Sequence, residues 1–288
     1  MSISSKENRI SLGFSPCPND TFIFHALVHG HACAEGLDFA EATLADVETL
    51  NGWALAGRLE VTKLSFHALG KVLDRYVLLM AGSALGRGCG PLLVARENFP
   101  LAAWPRLTIA IPGRYTTAAL LLQMFAPVAL TTRVMPFEQI MPAIVAGEVD
   151  AGVIIHESRF TFQEYGLQNI QDLGLCWEQK TGLPIPLGGI AAKRSLGKEK
   201  ILAIERCIRA SVATALDQPE AAMPYIRQHA QELDDQVIKD HIGLYVNPFS
   251  LDLDVEGVTA VRELLGRGRQ LGIFSRDFAD LPLTSAEL

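Results

Sequence analysis

The sequence predicts an α/β fold with two lobes, a ligand cleft between them and a helical C-terminal region. Strands and helices alternate in two successive stretches, which indicates two α/β units. A strand at residues 188–193 leads back out of the second unit, and beyond it the pattern is helical only. We therefore predict an inserted smaller lobe of residues 97–192 and a discontinuous large lobe of residues 1–96 and 193–288.

In the first unit, short apolar or alternating runs are typical of strands, and the segments between them have helical periodicity. The expected strands are residues 10–14, 37–44, 61–65, 76–81 and 91–95. The expected helices are residues 21–29, 47–56 and 66–73. This alternation favours a mostly parallel sheet that is covered on both faces.

The second unit repeats the alternation before the helical region begins. Its expected strands are residues 107–111, 133–135, 151–155 and 188–193, and its expected helices are residues 118–125 and 137–146. A strongly amphipathic helix follows at residues 201–216, and further helices are expected at residues 219–230, 234–246 and 255–271. The chain is then expected to cross between lobes twice, near residues 94–96 and 190–193, and this arrangement permits hinge closure over a ligand.

The amino-acid composition limits which binding partners and which cellular compartment we expect for this protein. Hydrophobic residues make up 49% of the chain and charged residues 20%, enough for a full core. A net charge of −7 without a basic cluster argues against nucleic acid or an acidic membrane surface as a partner. The polar N-terminus has no signal-peptide pattern, no apolar run suits a membrane span, and five widely spaced cysteines fit reduced thiols. We therefore expect a cytoplasmic protein.

The segment at residues 15–25, SPCPNDTFIFH, joins the first strand to the first helix. Its two prolines stiffen the backbone, and its polar residues are of the helix-capping type. Such a joint lies at the carboxyl end of a strand, where open α/β sheets bind ligands. Asn19 could therefore face a ligand, although a capped turn without a ligand is equally consistent with this segment alone.

Other polar residues follow strands in the same way. His156 ends an apolar strand, so it could project into the cleft as a proton acceptor or merely cap the next helix. Thr116 and Thr117 open a helix after a Pro-Gly turn, which suits a carboxylate or phosphate but also an ordinary N-cap. Lys63 and Ser65 share one face at the end of a strand, at the mouth of the first lobe.

Several further features carry weaker signals. The glycine-rich run at residues 82–91 lacks the spacing of a dinucleotide fingerprint and is read as a loop, with Arg87 as a candidate anion contact. His25 and His29 have the spacing of helical metal ligands, but no carboxylate completes a zinc motif, so no metal is expected. Cys17 could act as a nucleophile, but the sequence places no base beside it.

Seven motifs together resemble the 1,4-dihydroxy-6-naphthoate synthases of the futalosine route to menaquinone. They are SPCPNDTFIFH (15–25), DVETLN (46–51), TKLS (62–65), ALGRG (84–88), PGRYTT (112–117), IIHESRFT (154–161) and YVNPFSL (245–251). The resemblance runs from residue 10 to about residue 272. It implies a bilobal periplasmic-binding-protein-like (type 2) fold used as a cytoplasmic enzyme, and a lyase acting on cyclic dehypoxanthinyl futalosine.

The resemblance also implies roles for particular residues. His156 falls at the family's proton acceptor, and the substrate-contact segments fall on Lys63, Leu64 and Ser65 and on Thr116 and Thr117. Aromatisation of the product supplies driving force, so neither a cofactor nor a metal is expected. The alternatives are chorismate dehydratase, the sibling enzyme with the same fold, and a solute-binding protein without catalytic activity; a regulatory effector-binding domain ranks below both. The expected partner is a small-molecule carboxylate, and no motif indicates an oligomeric state.

Overall fold

The computed structural model describes residues 9–33, 36–126, 128–156, 158–230 and 234–288. Within them the strands are, in chain order, β1 (Leu12–Phe14), β2 (Thr43–Leu44), β3 (Val61–Ser65), β4 (Tyr76–Leu78), β5 (Ala84–Gly86), β6 (Leu92–Ala95), β7 (Thr108–Ile111), β8 (Thr131–Val134), β9 (Ala151–Ile154), β10 (Gln168–Asp172) and β11 (Ile185–Lys193). The α-helices are α1 (Pro18–Val28), α2 (Val47–Leu55), α3 (Phe66–Leu69), α4 (Thr117–Phe125), α5 (Phe137–Val145), α6 (Ser158–Thr161), α7 (Leu173–Thr181), α8 (Lys198–Asp217), α9 (Pro219–His229), α10 (Asp235–Tyr245), α11 (Pro248–Leu251) and α12 (Asp254–Gln270). The polar N-terminal segment and Glu157 of the His156 motif lie outside the described residues.

The first sheet has the strand order β2-β1-β3-β11-β4, and β5 also pairs with β11. β1 runs parallel to β2 and β3, whereas β11 runs antiparallel to β3, β4 and β5. β11 places Gly188 opposite Ser65. A Cβ atom on Gly188 would lie 2.9 Å from the carbonyl oxygen of Leu64, so this close pairing requires glycine.

The second sheet has the order β10-β6-β9-β7-β8. β7 runs parallel to β8 and β9, and β6 runs antiparallel to β9 and β10. Both sheets are therefore mixed, and the prediction of a mostly parallel sheet is wrong. The antiparallel pairs arise at β6 and β11, the strands that the chain forms just after crossing from one sheet to the other.

Sheet membership also bears on where one lobe ends and the other begins. β6 belongs to the second sheet and β11 to the first, so the chain crosses between the sheets after β5 and again after β10. The lobe boundaries drawn after residues 96 and 192 stay a prediction, and the pairing favours placing them earlier, ahead of β6 and of β11. An apolar strand carries no local signal of which sheet it will join.

The local elements agree with the sequence pattern where an apolar period exists and differ where it does not. β2 and β4 are shorter than expected, and α3 ends after one turn. β5 lies within the glycine-rich run that is read as a loop. β10 and α7 are not predicted: β10 has the polar sequence QNIQD, which lacks the apolar alternation on which a strand prediction depends.

Three apolar clusters hold the helices on the sheets, and two of them include strands of the first sheet. In one, α8 and α9 pack against α1, and the Phe14 ring stacks on that of Phe24 with centroids 4.2 Å apart. The other joins the lobes, because it contains Leu64 from β3, Leu120 and Trp177 from the inserted region, and Leu264 from α12. The last long helix thus packs against both lobes rather than the first alone. Among the described residues no helix has the length and apolar character to cross a membrane.

Candidate active site

A cavity of about 90 Å³ lies between the two lobes. It is lined by every residue that the sequence predicts for the site: Asn19, Lys63, Leu64, Ser65, Thr116, Thr117 and His156. A larger space of about 600 Å³ adjoins it and is lined by Cys17, Glu48 and Phe137 among others. His156 and Ile155 line both spaces, so His156 lies where the inner cavity meets the outer one.

The first lobe contributes a buried ion pair to the cavity. The Lys63 Nζ atom lies 2.7 Å from the Asp20 Oδ1 atom, and their side chains are only 6% and 3% exposed. The other carboxylate oxygen of Asp20 accepts hydrogen bonds from the hydroxyl and the backbone N–H of Ser15, at 2.7 and 3.2 Å. The joint at residues 15–25 is therefore more than a stiff turn. It also supplies the Asp20 carboxylate, of which one oxygen is hydrogen-bonded to Ser15 and the other is paired with Lys63.

Ser65 is held by Asn51, a residue for which the sequence predicts no individual role. Its hydroxyl accepts a hydrogen bond from the Asn51 Nδ2 atom at 3.1 Å, and its backbone N–H donates to Asn51 Oδ1 at 2.9 Å. The Asn51 amide also donates to the carbonyl of Tyr115 in the second lobe, at 3.2 Å. Asn51 is fully buried on α2 and thus links the end of β3 to the loop before α4.

The two threonines use their hydroxyls within the protein. Thr116 caps α4: its hydroxyl accepts from the N–H of Ala119 at 3.2 Å and donates to the carbonyl of Gly113 at 2.9 Å. The Thr117 hydroxyl donates to the carbonyl of Leu187 at 2.5 Å and accepts from the N–H of Phe66 at 3.1 Å. An anion could instead bind at the N-terminus of α4, because the first backbone N–H groups of this helix have no acceptor inside the helix.

His156 lies two residues beyond the second lobe's central strand, β9, and has an unusual backbone conformation. Its φ is +56°, a left-handed conformation that is uncommon for residues other than glycine and that costs of order 1–3 kcal/mol. The Phe137 ring meets its imidazole edge-on with centroids 5.3 Å apart, and the His241 ring stacks on it at 5.8 Å. The Cys17 Sγ atom lies 4.0 Å from its Nε2 atom, so the structure places a base beside Cys17 that the sequence could not reveal.

Further hydrogen bonds cross from the first lobe to the loop that precedes α4. Glu48 accepts from the backbone N–H of Arg114 at 2.6 Å and from that of Tyr115 at 3.1 Å. Burial raises the pKa of the Glu48 carboxyl. The His67 Nδ1 atom lies 3.2 Å from the carbonyl oxygen of Thr116. Since a carbonyl only accepts, this nitrogen donates, and α2 and α3 both fasten the loop that carries Thr116.

His67 makes stability depend on pH. Burial lowers its pKa from 6.5 to about 4, despite the opposing hydrogen bond to Thr116. The contribution to stability from neutral His67 is complete above about pH 6.5 and declines as the pH falls toward 4. At pH 4.5 the loss amounts to about 2–3 kcal/mol of the free energy of unfolding.

We expect His67→Asn, which keeps a donor near the Nδ1 position, to lose less free energy of unfolding than the wild type between pH 7 and 4.5. Urea denaturation at both pH values measures this difference. His31→Asn alters an exposed histidine and should show the full wild-type decline. An equal decline in all three proteins would contradict the assignment to His67.

Two residues that the sequence singles out, Arg87 and His25, lie away from the cavity. Arg87 pairs with Glu256 at 2.9 Å and donates to the carbonyl of Gly182, so its guanidinium is used in joining two surface segments. His25 packs beside His29 and Tyr225, with ring centroids 4.6 and 5.9 Å away, on the part of α1 remote from Asn19. Neither residue lines the inner cavity.

Comparisons with known proteins extend over nearly the whole chain. Residues 10–270 match the model of a protein family described as menaquinone biosynthesis. This chain belongs to that menaquinone biosynthesis family. A relative from Thermus thermophilus, named 1,4-dihydroxy-6-naphthoate synthase, is 53% identical over 92% of this chain and 95% of its own length. A relative of the same name from Streptomyces coelicolor is 47% identical over 92% and 94%. The resemblance seen in the motifs is thereby confirmed.

The fold of this chain is similar to that of proteins with solved structures. A protein from Archaeoglobus fulgidus has a TM-score of 0.87 and 33% identity over 93% of this chain and 100% of its own. A Candida albicans protein described as having the generic periplasmic binding protein fold has a TM-score of 0.66 at 14% identity, over 96% and 95%. The predicted bilobal periplasmic-binding-protein-like fold is confirmed.

Proposed function

We propose that this chain is a cytoplasmic enzyme that converts cyclic dehypoxanthinyl futalosine to 1,4-dihydroxy-6-naphthoate in menaquinone biosynthesis, and that it is a lyase. The names of both curated relatives support this assignment, since each aligns over nearly its full length. The observation that carries it is the convergence of His156 with the polar ends of β3, α1 and α4 around one interlobe cavity.

The cavity suits such a substrate in two parts. Apolar side chains, including Leu64, Pro91 and Leu187, line the inner space, which favours a flat bicyclic ring system. The N-terminus of α4 opens into the same space and would bind the ring carboxylate. The larger outer space would hold the sugar-derived part. His156 borders both, where the bond between the two parts must break.

We assign the role of proton acceptor to His156. Its imidazole would take a carbon-bound proton from the substrate, and the electron pair of that C–H bond would form a new ring double bond. The bond to the sugar-derived fragment then breaks, the fragment leaves with the electron pair of that broken bond, and the ring becomes aromatic. The proton that His156 has taken would then pass to the departing fragment, which returns the imidazole to its neutral form. The step changes no net oxidation state, so it needs no redox cofactor. Closure of the lobes over the substrate would exclude water.

Incubating the purified full chain with cyclic dehypoxanthinyl futalosine tests this proposal. We expect 1,4-dihydroxy-6-naphthoate to appear, identified by mass and by its aromatic absorbance. Chorismate serves as the parallel substrate, because the sibling enzyme with the same fold dehydrates it. Turnover of chorismate alone, or of neither compound, would contradict the assignment.

A further inference from the structure

A directed chain of buried hydrogen bonds runs from α10 to β3 along the wall of the cavity. The His241 Nε2 atom lies 3.0 Å from Asn19 Oδ1, and Asn19 Nδ2 donates to Asp20 Oδ1 at 3.0 Å. Asp20 Oδ1 also forms an ion pair with the Lys63 ammonium, whose Nζ atom lies 2.7 Å away. His241 is fully buried, and Asn19, Asp20 and Lys63 are each at most 6% exposed. His241 is more than 200 residues away from Asn19 in sequence, and no motif signals this contact.

The direction of each hydrogen bond follows from the chemistry of its partners. The Asp20 carboxylate can only accept, so the Asn19 side chain must turn its NH₂ group toward Asp20 and its oxygen toward His241. That oxygen can only accept, so His241 must carry its proton on Nε2. Burial, and secondarily the neighbouring His156, lowers the pKa of His241 well below its ordinary value, which keeps the ring neutral. A neutral ring has one N–H, and here it is committed to Asn19.

We propose that His241 is a positioning residue that fixes the Asn19 amide so that Asn19 presents an N–H donor, and not its oxygen, to the substrate. The Asn19 NH₂ group has two hydrogens, one of which is used by Asp20. Since Asn19 lines the cavity, the second hydrogen is left for a substrate acceptor, such as a carbonyl or carboxylate oxygen. This inference rests on the proposed function for the identity of that substrate, but not for the tautomer of His241.

The position of His241 also separates its role from that of His156. The two rings stack with an interplanar angle of 14° and centroids 5.8 Å apart. Only one of two such close imidazoles can readily hold a positive charge. With His241 committed as a neutral donor to Asn19, the proton taken from the substrate goes to His156, and His241 itself exchanges no proton during turnover.

Two substitutions separate donation by His241 from ring packing. His241→Gln keeps an N–H donor near the Nε2 position, whereas His241→Phe keeps a ring and removes the donor. We expect kcat/KM for the cyclic substrate to fall about tenfold or more in His241→Phe, as for the loss of one buried hydrogen bond, and to stay much closer to the wild type in His241→Gln. Ile238→Val, which trims a fully buried side chain on the same helix, controls for general loosening of α10 and should retain wild-type kcat/KM.

Equal losses in both His241 variants would assign the effect to packing, and no loss in either would show that the hydrogen bond is dispensable; both results overturn the proposal. A second measurement needs no turnover. In the ¹⁵N-histidine-labelled wild-type protein, His241 should appear as the neutral Nε2–H tautomer and should not titrate between pH 5.5 and 8.5. A titrating His241, or the Nδ1–H tautomer, would overturn the inference even if the proposed function holds, and the expected signature would stand even if the cyclic substrate is not turned over.

Discussion

His156→Asn should reduce turnover of the cyclic substrate by about a thousandfold, the contribution of a well-placed general base. Asparagine is the appropriate replacement, because it tolerates the left-handed conformation in which φ of His156 is +56°. An alanine at this position would add backbone strain to the loss of the base, whereas asparagine removes the base alone. Stopped-flow or steady-state assays of product formation measure the effect.

The affinity of the His156→Asn variant for the product distinguishes a role of His156 in proton transfer from a structural role. The affinity of the variant for 1,4-dihydroxy-6-naphthoate should stay within about threefold of the wild type, since the role proposed for His156 is proton transfer. His25→Asn replaces a histidine on α1 that lies outside the cavity and should leave turnover unchanged. Near-normal turnover of His156→Asn would remove His156 from the mechanism, and a large loss of product affinity would assign it to binding.

The sequence could predict the cavity-lining residues because each lies beside a recognisable element end. Lys63 and Ser65 lie at the end of an apolar strand, Thr116 caps an apolar helix, and His156 lies two residues beyond the end of β9. Local patterns of this kind place side chains at the carboxyl ends of strands. That information suffices to predict which residues converge, since both lobes turn these ends toward one cleft.

The partners of those residues could not be predicted in the same way. Asn51 reaches Ser65 from the middle of α2, and His241 reaches Asn19 from a helix near the C-terminus. Each is one polar residue within an amphipathic helix, and nothing in its neighbourhood distinguishes it from a solvent-facing one. The sheets to which β6 and β11 belong could not be predicted for the same reason. Hydrogen bonding between strands that are distant in sequence has no effect on the local pattern of apolar residues.

Breaking the Asp20–Lys63 pair should have the largest effect on stability. Asp20→Asn would leave the Lys63 ammonium, which is only 6% exposed, without its counter-charge at 2.7 Å. Removing one partner of a buried pair costs about 3–5 kcal/mol of the free energy of unfolding. We expect this loss in urea denaturation at pH 7, accompanied by loss of turnover. Asp235→Asn breaks a pair of similar length, 2.6 Å from Arg227, whose side chains are half exposed, and should barely change stability because solvent screens it.

The double variant Asp20→Asn with Lys63→Met distinguishes stability from function at this pair. Once the ammonium is also gone, no unpaired charge remains buried, so most of the lost free energy of unfolding should return. Turnover should not return, because both groups line the cavity beside Asn19 and the Asp20 carboxylate holds the Asn19 amide in place. Recovery of stability together with turnover would mean that the pair only supports the fold. Recovery of stability without turnover would mean that a buried charge pair, costly to desolvate, is retained in this cavity for what it does to the substrate.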